Sequence, residues 1–194
     1  MTLHKIAIAL LIASWIAFAI VFLRAGRRVP EARLSNPDAE MDRRTDPMSN
    51  WGLLLQGLSY LMVFFRRWHG IFAPDAAVIA GAILAPVSVA LAAYAVRHLG
   101  MQWRVQAVVT RAHKLVQSGP YAFVRHPIYT AMFGILIGSG LIMTNWKVLL
   151  LAIVVFAFGT EIRIRAEEGL LEERFGSDLR AYRSRVRGWI PFIR

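Results

Sequence analysis

The chain has 194 residues, 57% of them hydrophobic, and its 23 Lys and Arg against 12 Asp and Glu give a formal net charge of +11. Soluble domains carry about 45–50% apolar residues, so the mean hydropathy of +0.48 excludes an ordinary globular domain. The absence of cysteine excludes a disulfide scaffold, a cysteine zinc site, an iron–sulfur centre and a thiol nucleophile.

A helix needs about 20 mostly apolar residues to cross a hydrocarbon core of about 30 Å. Leu3 to Leu23 meets that length, with only His4 and Lys5 at its outer end. It is too long for the apolar region of a signal peptide, and no small-residue cleavage site precedes Arg24, so a retained span is expected. Arg24 to Asn50 turns polar, with six arginines and three prolines, and reads as a surface loop. Trp51 to Phe65 is a second span, closed by Arg66, Arg67 and Trp68. Ile71 to Val96 is a third, in which Pro86 removes one helical hydrogen bond. Arg97 to Pro127 is a long polar connection with turn signals at Gly119-Pro120 and His126-Pro127. Ile128 to Met143 and Trp146 to Ile162 are separated only by Thr144 and Asn145, which predicts a tight helical hairpin. A charged amphipathic helix is expected from Arg163 to Arg183, before a tail with Trp189, Pro191 and Phe192.

These elements make an all-α integral membrane protein of about five transmembrane helices plus a C-terminal cytoplasmic amphipathic helix. Arginine is concentrated in the loop after the first span, the loop after the third and the C-terminal segment. An N-terminus outside puts all three basic regions in the cytoplasm. Orientation and anionic lipid then account for the positive charge, and no nucleic-acid partner is expected.

Two clusters at the cytoplasmic side could carry chemistry. One holds His113, Lys114, Leu115 and Val116, then Gly119-Pro120-Tyr121, then Arg125-His126-Pro127-Ile128-Tyr129. A connecting loop with interfacial aromatics would explain it equally, and for His126 alone a structural hydrogen-bonding role is the ordinary expectation. The other holds Glu161, Arg163, Arg165, Glu167 and Glu168. Arg163 and Glu167 are four residues apart, so they share one helical face and can pair. The plain reading is a solvated surface pair. The sharper one gives the carboxylate an ammonium group and the arginine a carboxylate, at a depth where charge is expensive. No metal-ligand pattern is present.

The stretch HKLVQSGPYAFVRHPIYT, an apolar hairpin, and then RIRAEEGLLEERFGSDLRAYRSRVRGWIP resemble the isoprenylcysteine carboxyl methyltransferase family. That family and the related phospholipid methyltransferases share a Gly-x-Tyr-x-x-x-Arg-His-Pro-x-Tyr element. They also share an Arg-x-x-x-Glu-Glu element leading into Phe-Gly-x-x-Tyr-x-x-Tyr. Here Tyr182 keeps the second tyrosine of that last motif, Leu179 replaces the first, and Thr130-Ala131 is a milder departure. The resemblance covers about residues 99–194, and divides the chain into N-terminal membrane helices (1–98) and a catalytic region (99–194). Its small size looks like the small prokaryotic branch, which would place it in a bacterial inner membrane with the site facing the cytoplasm.

The resemblance implies a methyltransferase using S-adenosylmethionine. By position, Gln106, His113, Lys114, Leu115, Val116, Tyr121, His126, Pro127, Ile128, Tyr129 and Glu167 match the cofactor-binding places. Arg163 matches the acceptor-binding arginine, and Arg163 and Glu167 are the residues expected to carry the reaction. The acceptor is expected to be a lipophilic small molecule or lipid drawn from the bilayer, such as an isoprenoid carboxylate, with no obligate protein partner. A phospholipid amine methyltransferase, a sterol-reductase-like NADPH enzyme with a similar Arg-His-Pro element, and a non-catalytic membrane scaffold are the competing readings.

Overall fold

A computed structural model of the chain describes residues 2–35, 44–65, 74–100, 103, 108–109 and 114–190. Six α-helices run through them: α1 (Thr2–Ser35), α2 (Met48–Phe65), α3 (Asp75–Leu99), α4 (Pro127–Met143), α5 (Trp146–Phe175) and α6 (Ser177–Arg185). A 3₁₀ turn covers Gly119–Ala122, and two-residue strands β1 (Arg44–Thr45) and β2 (Val108–Val109) pair antiparallel. Arg66, Arg67, Trp68, Pro191 and Phe192, expected to flank spans and close the chain, lie outside the described residues.

Local chemistry sets several of the boundaries. Pro127 opens α4, where its fixed φ suits the first turn and its missing N–H costs nothing. Asn145 caps α5 by accepting from the N–H groups of Lys147 and Val148, each at 3.0 Å. That cap makes the expected two-residue hairpin possible. Asp46 accepts from Met48 N at 2.8 Å, so α2 starts three residues before the expected Trp51. Among the described residues, two helices, over Thr2–Arg27 and Asp75–Leu99, are long and apolar enough to cross a membrane, and α4 is a shorter apolar helix. Pro86 lies inside α3 without ending it.

The helices pack through small residues. α2 runs antiparallel to α5, with Gly52 facing Gly159. A Cβ added to Gly159 would stand 2.8 Å from both the Gly52 carbonyl oxygen and Leu55 Cβ. α3 and α4 meet the same way, since a Cβ on Gly81 would stand 2.7 Å from the Gly138 carbonyl oxygen. α1 packs on α3 through Ala7, Leu11, Val78, Ala85 and Ala92. Side-chain hydrogen bonds tie the helices across their seams: Gln56 Nε2 to Thr160 Oγ1 at 2.8 Å, Trp15 Nε1 to Ser139 Oγ at 3.0 Å, Tyr60 to the Met132 carbonyl at 2.7 Å. Large apolar side chains point outward instead, with Ile83 60% and Phe158 65% exposed. Small residues inside and large apolar ones outside is the arrangement of helices that associate in lipid.

The expected separate helix beginning at Arg163 is not what forms. α5 continues unbroken from Trp146 to Phe175, and the chain turns only at Gly176, whose φ of +46° suits glycine. No proline lies between Ile162 and Phe175 and the helix runs through Gly169, so the change from apolar to charged sequence alters the surroundings of the helix and not its backbone.

Candidate functional site

Several segments converge at one end of the bundle: the C-terminus of α3, the 3₁₀ turn, the start of α4, the second half of α5, and the segment after α6. Gly119 carries φ +60°, and the His98 ring from the end of α3 fills the space where a Cβ would stand. The Tyr182 hydroxyl on α6 donates to the Tyr121 carbonyl at 2.5 Å. Val124 bridges Arg187, and Arg125 N donates to the carbonyls of Arg187 and Gly188 at 2.8 and 2.9 Å. Thr130 Oγ1 donates to the Trp189 carbonyl. The strand-like segment after α6 thus holds the turn from Arg125 to Thr130, and Tyr182 of α6 holds the 3₁₀ turn before it.

Glu167 and Glu168 sit at the centre, one helical position apart. Glu167 Oε1 accepts from the Tyr129 hydroxyl and lies 3.6 Å from Arg163 NH2. The Tyr129 oxygen in turn accepts from Arg163 Nε at 2.8 Å, and the guanidinium carbon stands 5.4 Å from the Tyr129 ring centre. Glu168 Oε1 accepts from Arg125 Nε at 2.9 Å and faces His126 Nε2 at 3.0 Å, while Glu168 Oε2 pairs with Arg183 NH2 at 2.9 Å. The other imidazole nitrogen, Nδ1, lies 3.6 Å from Glu167 Oε2. Both ring nitrogens of His126 therefore face a carboxylate oxygen, a geometry that only the doubly protonated ring satisfies in full.

The electrostatics follow from this arrangement. Burial works against the charged His126 ring, but hydrogen bonds and charges from Glu167 and Glu168 outweigh it, and the pKa is raised above 6.5. Burial likewise opposes ionisation of both carboxylates. His126 with Arg163 and Tyr129 holds Glu167 below its ordinary value, and His126 with Arg125 holds Glu168 at about 2. Two ionised carboxylates thus stand among buried cations. Arg163 is only 5% exposed. Burying a charge is expensive unless it is paired and hydrogen-bonded, so this cluster is fixed by the mutual satisfaction of its members.

The structure brings together Arg163, Glu167, Tyr129 and His126 from the sequence-derived set, with Pro127 buried at the start of α4, Ile128 packed against the Ala25, Val96 and Trp103 cluster, and Tyr121 buried in the 3₁₀ turn. The charge of Glu167 reaches Tyr121. Lys114 is exposed and Leu115 and Val116 half-buried in irregular chain just before that turn. Gln106 and His113 lie outside the described residues. Sequence reasoning assigned no role to Glu168, Arg125 or Arg183. Neighbouring residues on a helix point about 100° apart, so reading one face of α5 selects Arg163 and Glu167 and passes over Glu168. Its partners come from two other places, Arg125 and His126 from the turn before α4 and Arg183 from α6, and only the fold brings them together.

Residues 80–173 match the isoprenylcysteine carboxyl methyltransferase (ICMT) family. Among curated proteins, the chain is similar to the protein-S-isoprenylcysteine O-methyltransferase of Schizosaccharomyces pombe, at 38% identity over 82 residues, covering 42% of this chain and 34% of that protein. Its namesake in Saccharomyces cerevisiae is 38% identical over 81 residues, with the same coverage of both chains. The mouse protein of that name is 35% identical over 91 residues, covering 46% of this chain and 32% of its own. The matches span about a third of the length of these relatives.

Proposed function

We propose, from the premise that residues 80–173 belong to the isoprenylcysteine carboxyl methyltransferase family, that the chain is a membrane methyltransferase using S-adenosylmethionine on a lipophilic carboxylate. The observation that carries this reading is the Arg163–Tyr129–Glu167 arrangement where α5 leaves the apolar seam. An anion-binding and a cation-binding group stand one helical turn apart, the arginine buried and the carboxylate partly exposed, linked through one hydroxyl. That fits a reaction joining a cationic donor to an anionic acceptor.

The residues present suit such a donor. Glu167, held ionised, is a charge-assisted partner for an ammonium group, and the His126–Tyr129 turn offers the polar surroundings for the amino-acid end. Leu115 and Val116 would supply an apolar edge and backbone groups for the adenine. Gln106 and His113 are assigned to the nucleoside by resemblance alone. When bound, S-adenosylmethionine supplies an electrophilic methyl group on a sulfonium. Attack by a carboxylate oxygen cancels charge, so alignment and water exclusion matter more than a protein base. Arg163 is placed to orient the acceptor carboxylate with its planar fork, and its apolar tail would lie in lipid between helices.

The finer topology belongs to the same proposal. Five spans (α1, α2, α3, α4 and the first half of α5) bring Met48, Leu99, Pro127 and Arg163 to one side, the side of the arginine-rich connections. We place that side in the cytoplasm.

The test uses the full chain in detergent or nanodiscs. Titration with S-adenosylmethionine should show saturable binding and titration with NADPH should show none; the reverse result overturns the proposal. Arg163→Ala should leave cofactor affinity little changed and sharply lower transfer of labelled methyl to a prenylated cysteine carboxylate, with lysine rescuing poorly. Parallel losses of cofactor affinity and transfer would remove Arg163 from acceptor binding. A lipid amine as the labelled product would instead place a phosphate on Arg163.

A further inference from the structure

Resting on that reading, we infer that Arg183, on α6, is a positioning residue for the cofactor site: through Glu168 it fixes Arg125 and His126, and so leaves Glu167 facing its ligand. Arg183 reaches the cluster through Glu168. Its NH2 pairs with Glu168 Oε2 at 2.9 Å and its NH1 with Glu172 Oε2 at 3.0 Å, bridging two carboxylates one turn apart on α5. Glu172 is held from its other oxygen by Arg180.

The two oxygens of Glu168 have divided tasks. Oε1 receives Arg125 and His126, both from the turn before α4, and Oε2 receives Arg183. A carboxylate held at one oxygen can still rotate about its last torsion, whereas one held at both cannot. Arg183 therefore sets the plane of the Glu168 carboxylate, and that plane sets where the His126 ring stands. The position of His126 matters to Glu167 because its second nitrogen is the neighbour of Glu167 Oε2. Without the clamp, the His126 ring, already 3.6 Å from Glu167 Oε2, can close on it and compete for the carboxylate that the ammonium requires. The same clamp gives α6 a purpose that its short, polar sequence does not announce. It carries Arg180 and Arg183 to α5 and Tyr182 to the Tyr121 carbonyl, and so closes the site from the cytoplasmic side.

The experiment measures S-adenosylmethionine affinity of the full chain by calorimetry as a function of pH, for wild type, Arg183→Ala, Arg183→Gln, Arg183→Lys and Arg165→Ala. Arg165 lies on an exposed pair with Glu161 outside the cluster, and its variant should bind as wild type. Arg183→Ala should weaken binding about tenfold, a typical coupling for residues in one ionic network. The groups facing Glu168 are Arg125 and His126 from the turn, Arg183 from α6, and the Tyr182 hydroxyl nearby. Loss of the Arg183 cation makes Glu168 easier to protonate, so the acid limb of binding should move to higher pH in the alanine and glutamine variants and stay in place in the lysine variant. Arg183→Gln keeps the reach without the charge and decides the matter if alanine fails to fold. In addition, Glu168→Gln and the double variant Glu168→Gln/Arg183→Ala should bind alike, since Arg183 acts through Glu168.

Wild-type affinity and an unmoved acid limb in Arg183→Ala or Arg183→Gln would overturn the inference and leave the proposed function standing. Weaker binding with an unmoved acid limb, unrescued by lysine, would also overturn it by making Arg183 a merely structural residue. A wild-type chain that binds no S-adenosylmethionine would overturn the functional reading before any variant is made, and the inference with it.

Discussion

The two halves of α5 share one unbroken backbone and little else. From Trp146 to Ile162 the helix meets α2 and α4 through Gly159, Ala152 and Phe156, while Leu150, Val154 and Phe158 face outward. From Arg163 to Phe175 the buried apolar side chains shrink to Ile164 and Ala166, and beside them Arg163, Glu167, Glu168 and Glu172 are each tied to a partner from another element or the next turn. The seam changes character within one turn, between Thr160, which takes the Gln56 amide, and Arg163. The fold puts charge where it is needed by depth along a helix and not by breaking it. The apolar half holds the ionic half at a fixed height and angle.

Damage to the apolar half should therefore have the larger effect on folding. Gly159→Leu would drive a side chain into the Gly52 carbonyl and Leu55, both backbone-proximal neighbours that cannot move aside. A cost of about 3 kcal/mol or more is expected, at the upper end of overpacking effects. Thermal unfolding should show a large loss, or no folded protein. Wild-type melting would mean that the α2–α5 contact is looser than the glycines imply.

Damage to the ionic half should appear first in ligand binding. Glu167→Gln removes the charge proposed to meet the cofactor ammonium, and a hydrogen bond to a charged group contributes about 1.5–3 kcal/mol. Calorimetry on folded protein should then give about 10–150-fold weaker S-adenosylmethionine binding. Wild-type affinity would remove Glu167 from the cofactor site.

The halves should also differ in their response to pH. Glu168 has a folded value of about 2 against an ordinary 4.5, so its contribution is present above pH 4.5 and is lost as pH falls towards about 2. The His126 value is raised above 6.5, so its contribution is full below pH 6.5 and is lost as pH rises through the folded value. Stability from the ionic half should thus be greatest between these limits, about pH 4.5 to 6.5. Glu168→Gln should flatten the acid arm of a melting-temperature profile and His126→Asn the alkaline arm. An unchanged profile in both variants would mean that the cluster contributes nothing net to folding.

How much of this was legible in the sequence divides along the same line. Apolar length and the Thr144-Asn145 step revealed the hairpin, because two apolar runs and the short polar step between them are read directly from composition. The end of α5 was not legible, since a change from apolar to charged composition reads as a change of helix, whereas the helix runs on to Phe175. Within the site, Arg163 and Glu167 could be paired from their spacing, and the Arg-His-Pro turn could be matched to a family. Glu168, Arg125 and Arg183 could not be placed. The Arg125–Glu168 pairing joins residues 43 positions apart through the return of α5 onto the turn before α4, and the Arg183–Glu168 pairing, 15 apart, depends on α6 folding back at Gly176.

The smallest expected effect sharpens that point most. α5 carries two arginine–glutamate pairs at the same four-residue spacing, Glu161 with Arg165 and Arg163 with Glu167. From spacing alone both are ordinary helix-surface pairs, and the first even has the more favourable order, acid before base. The structure separates them by face. Arg165 and Glu161 have 78% and 48% of their side-chain surface exposed, whereas Arg163 has 6%. Water screens the first pair, and an exposed pair of this kind contributes about 0.3–0.5 kcal/mol. Arg165→Ala should accordingly shift stability by no more than about 0.5 kcal/mol and leave both cofactor affinity and methyl transfer at wild-type values. The residue two positions earlier, truncated in the same way, should abolish most transfer. Melting curves and transfer rates on the two alanine variants, prepared side by side, test the contrast. Similar losses of transfer in both would mean that the exposed face of α5 takes part in the reaction, and the division of this helix by burial would have to be redrawn.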